Sequence, residues 1–170
     1  MKLKGHRSIR GFAVLTIILA LLTGAVPALA GEYAALTGVK GLDSVFDYTQ
    51  GSPSITTVVF PAIKGVYEDK NVLALPVPPR TVIVFHGPAI KLLSSNRKGF
   101  DKADLPALDK VTAMIRQFKK DGVKMEVCMY AVKVMGVDPA TLMPEIDQVG
   151  NGFISVLGYQ AQGYALVSVP

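Results

Sequence analysis

Residues 104–136 read DLPALDKVTAMIRQFKKDGVKMEVCMYAVKVMG, and three elements follow one another in them. Leu105, Leu108, Val111, Met114, Ile115 and Phe118 fall on one side of a helix from Asp104 to Lys120, because positions three and four apart share a helical face. Lys119 and Lys120 suit its negative carboxyl end, and Gly122 supplies the left-handed residue that stops it. Val123 to Val127 then reads as a strand running into Cys128, and Met129 to Met135 as a further helix closed by Gly136. Helix, strand and helix joined this tightly predict a parallel sheet covered by helices, since parallel strands need crossover connections.

The flanks continue the pattern. Upstream, Leu42 to Tyr48 reads as a first strand, and Gln50-Gly51-Ser52-Pro53 as a turn that starts a helix with Ser52 as cap and Pro53 at its first position. Ile55, Val58, Val59, Ala62, Ile63, Val66 and Tyr67 mark the apolar stripe expected of that helix, with a bend at Pro61. Asn71 to Pro79 holds three prolines and reads as a surface connection, and Ile90 to Phe100 as a short helix and loop. Thr81 to Phe85 is a continuous β-branched and aromatic run, the mark of a strand buried on both faces, and His86-Gly87-Pro88 closes it. Downstream come a helical turn at Asp138-Pro139, a strand from Ile146 to Val149, a helix from Asn151 to Gln162 and a last strand from Tyr164 to Val169. The order β-α-β-α-β-α-β-α-β predicts one α/β domain: a mainly parallel five-stranded sheet, helices on both faces, right-handed crossovers.

The start of the chain has another character. Residues 1–30 combine Lys2, Lys4, Arg7 and Arg10, an apolar stretch from Phe12 to Leu22, and Ala28-Leu29-Ala30 before Gly31, the three parts of a cleavable Sec signal peptide. The stretch is shorter than the ~20 residues of a membrane span, and Gly24 and Pro27 interrupt it, so no stable membrane anchor is expected after cleavage. The expected organisation is signal 1–30, a short lead 31–40 and the α/β domain 41–170, exported to a periplasm. The signal carries four of the 18 basic residues and none of the 13 acidic ones, leaving 14 against 13, or about +1. The basic isoelectric point thus belongs to the signal and gives no support to a nucleic-acid partner.

Chemistry in such a sheet gathers at the carboxyl edge, beside the point where strand order reverses. Cys128 and His86 both fall at strand ends there. A thiol at a helix amino terminus favours the nucleophilic thiolate, which can attack a sulfane sulfur, hold it as a persulfide and pass it on. Cys128 can equally be a small buried hydrophobe. His86 can assist the thiol or pack the Gly87-Pro88 turn. Lys91, Arg97 and Lys98 near the same edge can attract an anionic sulfur species or be ordinary solvated loop residues. One Cys and one His beyond the signal cannot build a structural zinc site, and no phosphate-loop or serine-elbow motif occurs, so neither a metal nor another cofactor is expected. The high apolar content favours self-association.

Cys128-Met129-Tyr130-Ala131-Val132-Lys133-Val134-Met135-Gly136-Val137, with its Cys-x-x-Ala-x-x-x-x-Gly-Val spacing, resembles the cysteine segment of the DsrE family of sulfur-handling proteins, which includes TusD-type sulfur-relay subunits. Val84 to Ala89 resembles the second strand and turn of exported DsrE-like proteins, and Gly150 to Tyr164, with Leu157, Gln160 and Gly163-Tyr164, their carboxyl-terminal helix and strand. The similarity covers roughly residues 41–170. It implies a flavodoxin-like three-layer fold, homo- or hetero-oligomers and a persulfide-carrying cysteine aligned with Cys128, served by sulfur donors and acceptors that the sequence does not identify. A periplasmic sulfur carrier or sulfurtransferase is the leading expectation. A noncatalytic oligomeric binding module with a buried Cys128, or a thiol redox sensor, is the alternative.

Overall fold

The computed structural model of the chain describes residues 33–170; the expected signal, residues 1–30, lies outside the described residues. The elements are β1 (Ser44–Tyr48), α1 (Pro53–Glu68), α2 (Lys70–Leu73), β2 (Thr81–Phe85), α3 (Leu105–Lys120), β3 (Lys124–Cys128), α4 (Met129–Val134), β4 (Asp147–Val149), α5 (Gly152–Ala161) and β5 (Ala165–Val169). The five strands form one sheet in the order β4-β3-β2-β1-β5, every neighbouring pair parallel.

Strand alternation sorts the side chains onto two faces. Phe46, Tyr48, Ile83, Phe85, Met125 and Val127 lie on one face, packed with Phe60 and Ile63 of α1, Leu108, Val111, Ile115 and Phe118 of α3, and Val132 of α4. Val45, Val82 and Val84 lie on the other, packed with Val156 and Tyr159 of α5 and with Tyr164. Three helices thus cover one face and α5 alone the second. This uneven layering leaves β5 exposed over most of its length, including Leu166 and Val167.

The predicted helix ends hold. Ser52 Oγ accepts the Ile55 N–H at 3.4 Å, with Pro53 at the first helical position. Gly122, at φ +82°, ends α3 as Val123 N–H returns to Phe118 O at 2.9 Å. The first helix runs from Pro53 to Glu68 as one element with Pro61 inside it. Two expectations change. The first half of that helix is buried at Pro53, Thr56 and Phe60, not at Ile55 and Val58, which are exposed. Thr56 can face inward because its hydroxyl donates to Ser52 O at 2.8 Å and accepts from Tyr48 Oη at 2.9 Å, which removes the penalty of burying it. Lastly, the proline-rich connection begins with the single turn α2, capped by Asp69, and residues 87–93 form a 3-10 helix where a later, looser one was expected.

Candidate functional site

β3 and β4 are neighbours, yet the chain leaves them toward opposite faces. After β3 it enters α4, which packs with the first face; after β4 it enters α5, which covers the second. Departures of this kind open a crevice at the carboxyl ends of the two strands, the usual location of function in an open α/β sheet. Cys128, the last residue of β3, stands at that point. Its Sγ accepts the Ala131 N–H at 3.4 Å and so caps α4, and Tyr130 N–H donates to Gly150 O at 3.1 Å, tying the two loops together.

His86 follows the end of β2, and the register Phe85↔Val127 places it level with Cys128 on the α5 face. The two meet at Gly152, the first residue of α5. A Cβ built there would overlap His86 Cε1, lie 2.9 Å from His86 Nδ1 and sit 3.0 Å from Cys128 Cβ. Gly152 therefore permits a close approach that no other residue allows. Asn151 caps α5 by accepting the Phe153 N–H at 3.0 Å, which aims Phe153 over the histidine; the two rings stack with centroids 5.1 Å apart at 24°.

Cys128 is 3% exposed and His86 5%, whereas Phe153, stacked on the histidine, is 63% exposed. The ring covers the histidine, which in turn borders Gly152 together with Cys128. Phe153→Ala is expected to raise the rate of Cys128 alkylation at neutral pH several-fold, with little change in melting temperature, as followed by mass spectrometry of iodoacetamide-treated native protein. An unchanged rate would mean that access to the thiol runs elsewhere.

On its far side His86 meets Asp47 of β1, with Nε2 and Oδ1 3.2 Å apart. Both atoms are buried, and the angle falls outside hydrogen-bond geometry. Burial pushes the His86 ring below its usual pKa, and the Asp47 carboxylate opposes that shift. Deeper on the same face, Glu126 accepts from Tyr159 Oη at 2.6 Å and lies 3.2 Å from Lys124 Nζ. Burial alone would raise the Glu126 carboxyl, but Tyr159, Ser155 and Lys124 outweigh it and hold the group below the usual range. This charged link fastens α5 to the sheet behind the crevice.

The structure places His86 and Cys128 at the ends of adjacent strands, both against Gly152, a neighbourhood the sequence left open. It does not bring the basic loop residues to them. Arg97 turns to Thr112 Oγ1 at 2.9 Å and to Asp109 at 3.9 Å. Lys91 and Lys98 line a separate cleft of about 280 Å³ with Ser94, Asn96 and residues 135–138, which follow α4. Asp47, Glu126, Gly152 and Phe153 were not singled out in the sequence. The signal for Asp47 was a carboxylate within an otherwise apolar strand; Gly152 and Phe153 carried none, since their role arises where α5 returns over the sheet. Among the described residues no three His, Cys, Asp or Glu side chains converge as metal ligands, and no helix is long and apolar enough to cross a membrane.

Comparison with known proteins bears on the same segment. The model of the DsrE/DsrF-like family matches residues 59–169, a span from α1 to β5 that includes His86 and Cys128. Among solved structures, the protein of unknown function MTH1491 from Methanobacterium thermoautotrophicum is similar in fold, with 16% identity, a TM-score of 0.58, and coverage of 75% of this chain and 98% of that one. The ychN protein from E. coli aligns with 14% identity and a TM-score of 0.44 over 76% of this chain and 97% of its own. No curated protein matches the chain significantly. The parallel sheet with helices on both faces is consistent with the flavodoxin-like architecture expected. The chain belongs to the DsrE/DsrF-like family, a membership that suggests a role related to sulfur relay.

Proposed function

We propose that the protein is an exported, periplasmic sulfur carrier that holds sulfane sulfur as a persulfide on Cys128, with His86 assisting. The observation that carries this reading is the meeting of Cys128 and His86 at the crevice between β3 and β4, beneath Gly152. The imidazole takes the thiol proton. The Cys128 thiolate attacks the terminal sulfur of a donor persulfide or polysulfide, a new S–S bond forms on Sγ, and the donor's S–S bond breaks with its electron pair leaving on the donor thiolate. An acceptor thiolate then attacks the outer sulfur and releases Cys128 as thiolate, so the cycle needs no external oxidant. Neutral His86, held below its usual pKa by burial, is in the form that accepts a proton at neutral pH.

Homo-oligomers fit this reading, because Phe153, Ile154 and Leu157 of α5 and Leu166 and Val167 of β5 expose apolar surface, and residues 148–170 carry no charge to oppose a second copy. Donor and acceptor are small sulfur compounds or partner proteins.

Cold cyanolysis tests the proposal. After incubation with polysulfide and removal of excess, the native protein is expected to release about one thiocyanate per chain and Cys128→Ser none. Equal release from both would place any bound sulfur elsewhere. The burial of Cys128 favours a second reading, a noncatalytic binding module; it predicts no sulfur uptake and alkylation only after denaturation.

A further inference from the structure

We propose that Asp47 is a positioning residue for the Cys128 thiol, holding the His86 ring with Nδ1 toward Gly152, which Cys128 also borders, and stabilising the imidazolium that forms when the thiol gives up its proton. The proposal rests on the thiol chemistry assigned above. It adds a third member to the pair that the strand ends supplied.

Asp47 is the one charged residue of β1, a strand with a neighbour on each side. Alternation puts Val45 and Asp47 on the α5 face, and the register Asp47↔Val84 sets the carboxylate one step from His86, two residues beyond Val84. Oδ1 then lies 3.2 Å from His86 Nε2, and no other polar group meets either buried atom. Nδ1 and Cε1 of the ring border Gly152, as Cys128 Cβ does. One side of the ring is thus directed at a carboxylate and another at the start of α5, which the thiol residue also borders.

The charge of the carboxylate beside Nε2 acts without a formed hydrogen bond: it favours the neutral tautomer with its proton on Nε2, which leaves the Nδ1 lone pair free for the thiol proton. The other titratable groups on the surrounding elements are engaged or remote from this pair: Glu126 and Lys124 on β3 are tied to each other and to Tyr159 of α5, while Asp147 on β4 and Lys91 after β2 are exposed. An opposite charge at this range shifts a titration by about 1–3 units, so losing it is expected to slow reactions of the thiolate at neutral pH on the order of tenfold.

The test is the pH profile of Cys128 alkylation in the native chain, Asp47→Asn and Asp47→Glu, with the His86 tautomer read by long-range 1H–15N NMR and assigned against His86→Gln. The native ring is expected to carry its proton on Nε2. Asp47→Asn is expected to react about tenfold more slowly at pH 7, with its profile displaced to higher pH, and Asp47→Glu to recover part of the rate. An Nδ1–H tautomer in the native protein overturns the proposal without any variant having to fold. So does an unchanged profile in Asp47→Asn while native protein still yields thiocyanate, an outcome that leaves the persulfide reading standing. A slowed Asp47→Asn in a protein that takes up no sulfur would instead uphold the hold on the ring and remove the persulfide reading.

Discussion

Gly152→Ala is expected to destabilise the fold by about 1–3 kcal/mol, the usual cost of forcing a methyl into a filled site, and to disturb the candidate site at the same time. Helix propensity argues the other way, since Ala is favoured over Gly by up to about 1 kcal/mol within a helix. The surroundings decide between the two effects. The new Cβ would meet His86 Cε1, His86 Nδ1 and Cys128 Cβ. Neither neighbour is the loose end of a long side chain: the imidazole lies between Asp47 and Phe153, and Cys128 Cβ is fixed to β3. Relief has to come from lifting the start of α5 or from turning the histidine off Asp47. Denaturant unfolding is therefore expected to show a lowered midpoint, and alkylation of native protein a faster reaction at Cys128. A neutral or stabilising Gly152→Ala would mean that α5 does not press on the two residues as described.

Phe60→Ala is expected to have the largest effect on stability, about 3–5 kcal/mol, a large part of the roughly 5–15 kcal/mol that holds a domain of this size together. Phe60 is 1% exposed, and its ring meets Tyr48 at 5.3 Å, Phe118 at 5.1 Å and Phe85 at 6.4 Å, so one side chain joins α1 to β1, β2 and α3. Val58→Ala on the same helix is expected to fall within about 0.5 kcal/mol of native, because Val58 is 72% exposed. Thermal unfolding of the two variants checks the orientation of α1. A large loss from Val58→Ala and a small one from Phe60→Ala would rotate the helix and contradict the packing of the first face.

That comparison also marks what the sequence could express. Strands and caps were legible because local chemistry sets them: the β-branched run of β2, Ser52 and Pro53 before α1, and Gly122 between α3 and β3 are each decided by a few neighbouring residues. The inward face of α1 was not. Ile55 and Val58 are as apolar as Val59 and Ile63, and what turns Thr56 inward is a hydroxyl from Tyr48 on a different element. The site divides in the same way. Cys128 and His86 announced themselves by ending strands, a local property. Asp47, Gly152 and Phe153 join them only because β5 lies on the far side of β1, which carries α5 back across the second face. No spacing in the chain encodes that return.

The gathering explains how one buried thiol could serve transfer chemistry. α4 and α5 leave β3 and β4 on opposite faces and open the crevice, Gly152 lets helix and histidine close over it, and Glu126 with Tyr159 holds α5 in place behind it. The arrangement keeps Cys128 covered, which suits a persulfide that has to be shielded from adventitious thiols, and leaves the Phe153 ring exposed above His86.

The most direct test is the intact mass of the protein after incubation with polysulfide, native beside Cys128→Ser. The account predicts a gain of at least one sulfur atom in the native protein, removed by dithiothreitol, and no gain in the variant. An unchanged native mass with every sulfane donor, together with alkylation of Cys128 only on unfolding, would contradict the account and leave Cys128 as a core residue.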